Sequence, residues 1–159
     1  MGVNIEVMPQ FSFDTPLGAI TLTEEDEKIV SLDWGDSPLS VSNNSLLKEG
    51  QKQIQAYFAG KLKIFSLPLA PLGTEFQKKA WLLMQEIPYA QTISYAELAV
   101  RLSTAPRAAG MACARNNIPI VIPCHRILGS KGALGGYSGF EGIESKKYLL
   151  NLERHFQEK

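Results

Sequence analysis

A cysteine followed at once by a histidine and an arginine, Cys124-His125-Arg126, is the part of this chain best equipped for covalent chemistry. A thiol attacks carbon only as its thiolate, and an isolated cysteine ionises near about 8.5, so a nucleophilic cysteine needs a neighbouring base or a positive field. His125 and Arg126 are candidates. Adjacent residues do not automatically share a hydrogen bond, so His125 would act through a water or a turn, and a third group would have to orient it. The same residues also fit a buried cysteine at the end of a core strand, with His125 in a structural hydrogen bond. The chain holds two cysteines, Cys113 and Cys124, and two histidines, His125 and His155. That is too few for a disulfide framework, and no cluster has zinc-ligand spacing, so neither a metal nor a cofactor is expected. A cysteine hydrolase would need a histidine placed apart from the nucleophile, and the only other one, His155, falls near the end of the last expected helix.

The elements that must position these residues can be read from pattern. Phe11 and Phe13 alternate with polar neighbours, Asp14 to Gly18 reads as a turn, and Ala19–Thr23 and Ile29–Trp34 read as paired strands joined by an acidic hairpin. Apolar residues from Ser45 to Phe58 share one helical face, and Gly60 follows as a stop. The linker Pro68-Leu69-Ala70-Pro71-Leu72-Gly73 marks a boundary between domains 1–73 and 74–159. Beyond it, Thr74-Glu75-Phe76-Gln77 and Ser94-Tyr95-Ala96-Glu97 form two capping boxes. The first opens a helix with a buried stripe of Phe76, Ala80, Leu83, Met84 and Ile87. A third helix starts at Pro106 and is rich in small side chains, which suit either close approach to a groove or tight helix packing. Ile118–Ile122 reads as a buried strand delivering Cys124, a Gly-rich loop spans 129–142, and an amphipathic helix closes the chain from about Ile143 to Phe156.

The 159 residues suit one domain or two small ones, and 45% hydrophobic with 20% charged residues implies a real core. No run approaches the roughly 18 apolar residues of a membrane span, and the N-terminal residues lack a signal-peptide layout, so a cytoplasmic protein is expected. The formal charge of zero hides a division: residues 1–74 carry five lysines against nine acids, and residues 75–159 carry eleven bases against seven acids. Every arginine lies in the second half, which could meet a polyanion, although an ordinary solvated surface explains the charges equally well.

Ile122-Pro123-Cys124-His125-Arg126-Ile127 resembles the active-site signature of the O6-alkylguanine-DNA alkyltransferases. The likeness extends to Pro88-Tyr89-Ala90, to Ile93–Ala99 as a helix-turn-helix entry, to Arg107-Ala108-Ala109-Gly110 as its recognition helix, to Arg115-Asn116, and to Gly135-Gly136-Tyr137-Ser138-Gly139 as the substrate loop. It covers most of residues 74–153; the N-terminal half is similar only in its layout. The resemblance implies a two-domain α/β protein, with a small ribonuclease H-like sheet and helix followed by a mostly helical, winged-helix-like domain.

It also implies irreversible transfer of an alkyl group from O6-alkylguanine, and from O4-alkylthymine, to the protein's own cysteine, with duplex DNA as partner and a monomer in solution. The roles carried over are Cys124 as acceptor, His125 as base through a water, Glu153 as orienter of His125, Tyr95 as donor to the departing base and Asn116 as brace of the turn. Arg107 would fill the gap left by a flipped base, with Ala108, Ala109, Gly110, Arg115 and Arg126 at the DNA. Ile127, Tyr137, Ser138, Gly139 and Cys113 would line the pocket. Between Tyr137 and Glu153 the chain is two residues longer than the common pattern, which makes Glu144 a rival orienter; Cys113 and Asn117 also depart from it. Zinc, found in the N-terminal domain of some relatives, is not expected because that half has no cysteine or histidine. The competing class is a lesion-binding protein without chemistry, whose members resemble this fold but replace the cysteine.

Overall fold

The computed structural model describes residues 8–41, 43–134 and 142–157. Three antiparallel strands, β1 (Gln10–Thr15), β2 (Gly18–Glu25) and β3 (Lys28–Trp34), form a meander in that order, with a register shift at Thr23/Glu24. Ile20, Thr21, Leu22 and Thr23 of the central strand are all buried, so both of its faces are covered. One cover is α1 (Ser45–Phe58), capped by Asn44, whose side chain accepts from the amide of Leu47. The helix lies close: a Cβ built on Gly50 would come within 2.6 Å of Leu22 Cδ1, so a larger residue there would have to displace the Leu22 side chain. β3 is bordered by the linker, since Ile29 N donates to Pro68 O at 2.8 Å and Ala70 N to Ile29 O at 2.9 Å.

Past the linker, α2 (Glu75–Gln85) opens on a complete capping box between Thr74 and Gln77. Its buried stripe differs from the expected one: Trp81 is 1% exposed and its indole donates to Ala112 O, while Phe76 is 36% exposed. The indole N–H finds its partner on a later helix, which no α2 periodicity could indicate. A two-residue strand, β4 (Ile93–Ser94), leads into α3 (Tyr95–Arg101), and Ser103, with φ of 54°, turns the chain toward α4 (Pro106–Ala114). The second capping box is only half made. Ser94 accepts from Glu97 N, but the Glu97 carboxylate pairs with Arg101 one turn on.

The run Ile118–Ile122 is not a strand. It is a buried turn in which Ile120 takes φ of 73° and Ile122 N donates to Ile118 O. A short apolar run carries no period that separates strand from turn, and side-chain hydrogen bonds from Asn116 replace those of a sheet ladder. A single-turn helix, Cys124–Arg126, then leads into β5 (Ile127–Leu128), which pairs in parallel with β4, Ile93 opposite Ile127 and Ser94 opposite Leu128. That pairing sets Tyr95, the first residue of α3, beside the turn that carries Cys124. The closing helix, α5 (Ile143–Phe156), buries Ser145, Lys146, Leu149, Leu150 and Glu153. No helix among the described residues is long and apolar enough to cross a membrane.

Candidate active site

Asn116 builds the turn that holds Cys124. Its Oδ1 accepts from Ile118 N at 3.0 Å, and its Nδ2 donates both to Ile122 O at 2.8 Å and to Cys124 Sγ at 3.1 Å. The neighbouring Asn117 ties this turn to the N-terminal half, with its carbonyl accepting from Leu32 N and its Nδ2 donating to Leu72 O. Cys124 is 4% exposed. Burial pushes its thiol up to about 11, while the Asn116 amide, the Lys146 ammonium and the local backbone pull it back.

Behind the cysteine lies a buried polar cluster centred on Glu153. Its Oε2 receives His125 Nε2 at 2.7 Å, Arg126 Nη2 at 2.9 Å and the Tyr57 hydroxyl at 2.6 Å. Its Oε1 receives Arg126 Nε at 2.9 Å and the amide of Ala90 at 3.0 Å. Burial by itself would raise the carboxyl's pKa, but the hydrogen bonds from His125 and Arg126 and the charge of Arg126 outweigh it and hold Glu153 well below the carboxylate range. Burial lowers the pKa of His125, opposed by Glu153. A neutral imidazole facing that carboxylate carries its proton on Nε2 and leaves Nδ1 as the acceptor, and Nδ1 has no partner among the described residues. The ring is therefore oriented as a base. Glu144, the rival orienter, is exposed at the start of α5.

Arg126 departs from expectation. Only 7% exposed, it forks onto Glu153 and donates its remaining Nη1 to Ile87 O at 2.6 Å, so it faces the interior and not a DNA partner. A buried carboxylate next to a neutral histidine needs a fixed cation, and arginine's planar fork supplies it. Ala109, also expected at the DNA, is fully buried.

A cavity of about 1010 Å³ opens in front of Cys124. Tyr95, Arg107, Gly110, Cys113, Gly129 and Lys131 are among its walls. Burial raises the Tyr95 phenol to about 12, so it remains a proton donor at neutral pH. The small residues of α4 divide by face: Ala109 and Ala112 pack into the core, whereas a Cβ on Gly110 would meet no protein atom within 4 Å. Gly110 is thus small on the side of the cavity, where no packing demands it. Arg107 and Arg115 are exposed, Ala108 is half-buried, Cys113 is buried at the cavity wall, and Ile127 is fully buried beside the catalytic turn. Tyr137, Ser138 and Gly139 lie outside the described residues.

Sequence reasoning missed Tyr57, Ala90 and Ile87 as members of the cluster. Tyr57 lies 96 positions from Glu153 on α1, so no local signal joins them. Pro88-Tyr89-Ala90 was legible as part of the family pattern, but the hydrogen bonds of its backbone were not. Tyr57→Phe is expected to destabilise the protein by about 1.5 to 3 kcal/mol, the usual worth of a hydrogen bond to a charged group, as read by urea unfolding. A loss below about 0.5 kcal/mol would show that the hydroxyl contributes little to holding Glu153.

Two family models match the chain: the 6-O-methylguanine DNA methyltransferase ribonuclease-like domain over residues 11–71 and the DNA-binding domain of the same methyltransferase over residues 75–155. The constitutive methylated-DNA--protein-cysteine methyltransferase of Bacillus subtilis is 43% identical over 153 residues, covering 89% of this chain and 92% of that one. Its counterpart in Methanosarcina acetivorans is 42% identical over 150 residues, covering 89% and 95%. The crystal structure of Mycobacterium tuberculosis OGT in complex with DNA superposes with a TM-score of 0.83 at 34% identity, covering 92% of this chain and 93% of that one.

Proposed function

The chain belongs to the 6-O-methylguanine DNA methyltransferase family, and from that membership and the setting of Cys124 we infer that it repairs DNA by direct reversal, moving the alkyl group of O6-alkylguanine onto its own cysteine. The observation that carries this reading is the Cys124 thiol, braced by Asn116 and next to a histidine oriented by Glu153, at a cavity whose walls include Arg107 and Lys131. Duplex DNA bearing the lesion is the partner.

The chemistry follows from the geometry. The Cys124 proton passes through a water to His125 Nδ1, whose other nitrogen is held by Glu153. The thiolate attacks the alkyl carbon in line, the bond from that carbon to O6 breaks, and its electron pair stays on the guanine. Tyr95, still protonated, donates to the departing base. A thioether has no easy route back to thiol, so each chain acts once. Mixing the protein with excess lesion-bearing duplex should therefore repair about one lesion per chain and then stop. Continued repair well beyond that would contradict the reading.

The same proposal extends to O4-alkylthymine as a second substrate, to a monomer acting in the cytoplasm without metal or cofactor, and to a division at 1–73 and 74–159. In that division the first part is ribonuclease H-like and the second winged-helix-like, with α3 and α4 as a helix-turn-helix. Tyr137, Ser138 and Gly139 would complete the pocket beside Ile127 and Cys113, with the Cys124 and Ile127 carbonyls and the Ser138 amide reading the base.

Extruding a base costs a few kcal/mol of unstacking, and Arg107, exposed at the start of α4 and on the cavity wall, would fill the gap. Arg115 is exposed, whereas Ala108 and Gly110 are half-buried, Gly110 at the cavity wall. Arg107→Ala is expected to slow methyl transfer from duplex DNA by about tenfold or more and leave transfer from free O6-alkylguanine nearly unchanged, because only the duplex must be opened. Equal losses on both substrates would remove Arg107 from the flipping role.

A further inference from the structure

Lys146, in the first turn of α5, takes no part in the chemistry described so far, yet its ammonium lies over Tyr95, which lines the reacting pocket. The residue is fully buried, and its Nζ has no hydrogen-bond partner among the described residues. The ammonium lies 5.6 Å from the centre of the Tyr95 ring, a contact that offsets part of its desolvation. The ionisable groups facing it are Cys124 and His125 from the catalytic turn, Cys113 from α4 and Tyr95 from α3. Two turns along its own helix, Glu153 is committed to His125, Arg126, Tyr57 and Ala90. Among the described residues no carboxylate forms an ion pair with this lysine. A lone buried ammonium is unfavourable unless negative charge develops beside it, and such groups cluster at functional sites.

We propose that Lys146 is the cation that stabilises the Cys124 thiolate: buried, without a hydrogen-bond partner among the described residues, and lying over the Tyr95 ring that shares a cavity with Cys124, it supplies positive charge close to where the anion forms. The inference rests on the alkyl-transfer reading above. Negative charge appears on Sγ when its proton leaves for His125, and it passes to the guanine as the S–C bond forms and the O6–C bond breaks. Through that displacement the pocket's net charge is constant, so a fixed ammonium serves both ends of the step. It also answers a difficulty of the site, since burial drives the Cys124 thiol upward and the other groups that favour the thiolate, the Asn116 amide and the local backbone, are neutral.

The test is single-turnover methyl transfer from O6-methylguanine duplex across neutral to alkaline pH, comparing wild type with Lys146→Met, Lys146→Gln and Lys146→Arg. The neutral variants should react about tenfold more slowly at neutral pH, with profiles displaced upward by about one pH unit and converging on wild type in alkali, while Lys146→Arg retains most of the rate. The ultraviolet absorbance of the thiolate, taken as the difference between unreacted and S-methylated protein, should titrate correspondingly higher in Lys146→Met. Superimposable profiles, or a pH-independent loss shared by Lys146→Arg, would overturn the proposal and leave the residue a packing role. Wild type that takes up no methyl group would instead overturn the alkyl-transfer reading itself, so the two failures are distinct.

Discussion

Glu153→Ala is expected to cost about 3 to 5 kcal/mol of stability, a large share of the roughly 5 to 15 kcal/mol that holds a domain together, and to abolish practical activity. The cause is what the carboxylate leaves behind. Arg126 would remain as a buried cation with only the Ile87 carbonyl, and the Tyr57 hydroxyl and Ala90 amide would lose their acceptor. His125 would lose the bond that fixes its tautomer. Urea unfolding and single-turnover transfer measure the two effects. A loss under about 1 kcal/mol with normal transfer would mean that the cluster is not the support of the site. The same carboxylate sets an acid limit in the unmodified protein. Because its folded pKa is depressed, its contribution is complete above the unfolded value near 4.5 and is lost as pH falls toward the folded one. Stability should therefore decline on the acid side, as a pH series of unfolding curves would show.

Cys124→Ala should eliminate alkyl transfer entirely while sparing the fold and the affinity for duplex DNA. The cysteine is nearly buried, so removing its sulfur leaves a small cavity and costs on the order of 1 kcal/mol. Asn116 keeps its bonds to Ile118 and Ile122, so the turn persists. Arg107 and Arg115, the side chains proposed to meet DNA, are exposed and take no part in the hydrogen bonds of that turn. Gel-shift titration alongside a repair assay would separate binding from chemistry. Residual methylation of the protein in this variant would point to Cys113, the second thiol at the cavity wall.

The parts of this architecture written in local patterns are legible in the sequence. α1 spans Ser45–Phe58, where its apolar face and the following Gly60 put it, and Thr74 and Gln77 cap each other as their spacing implies. The catalytic turn was legible because its residue types are unusual together. What escaped depends on partners distant in sequence. Ile118–Ile122 had the composition of a strand, but Asn116 satisfies the backbone that a ladder would have bonded. Arg126, a DNA contact by the family resemblance, is instead bound by Glu153, 27 positions later. The choice between Glu144 and Glu153 rested on loop length, whereas the fold decides by burial: Glu144 is exposed and Glu153 is buried against His125. Lys146 looked like one more charge on an amphipathic helix, and only the packing of α5 against the catalytic turn turned it inward.

The most direct test of the central claim is intact-mass spectrometry of the protein after reaction with an oligonucleotide duplex carrying O6-methylguanine, followed by peptide mapping. The result expected is a gain of a single methyl group, located on Cys124, with the Cys124→Ala protein unchanged in mass under the same conditions. No gain at any excess of DNA, or a methyl group mapped to another residue, would contradict it.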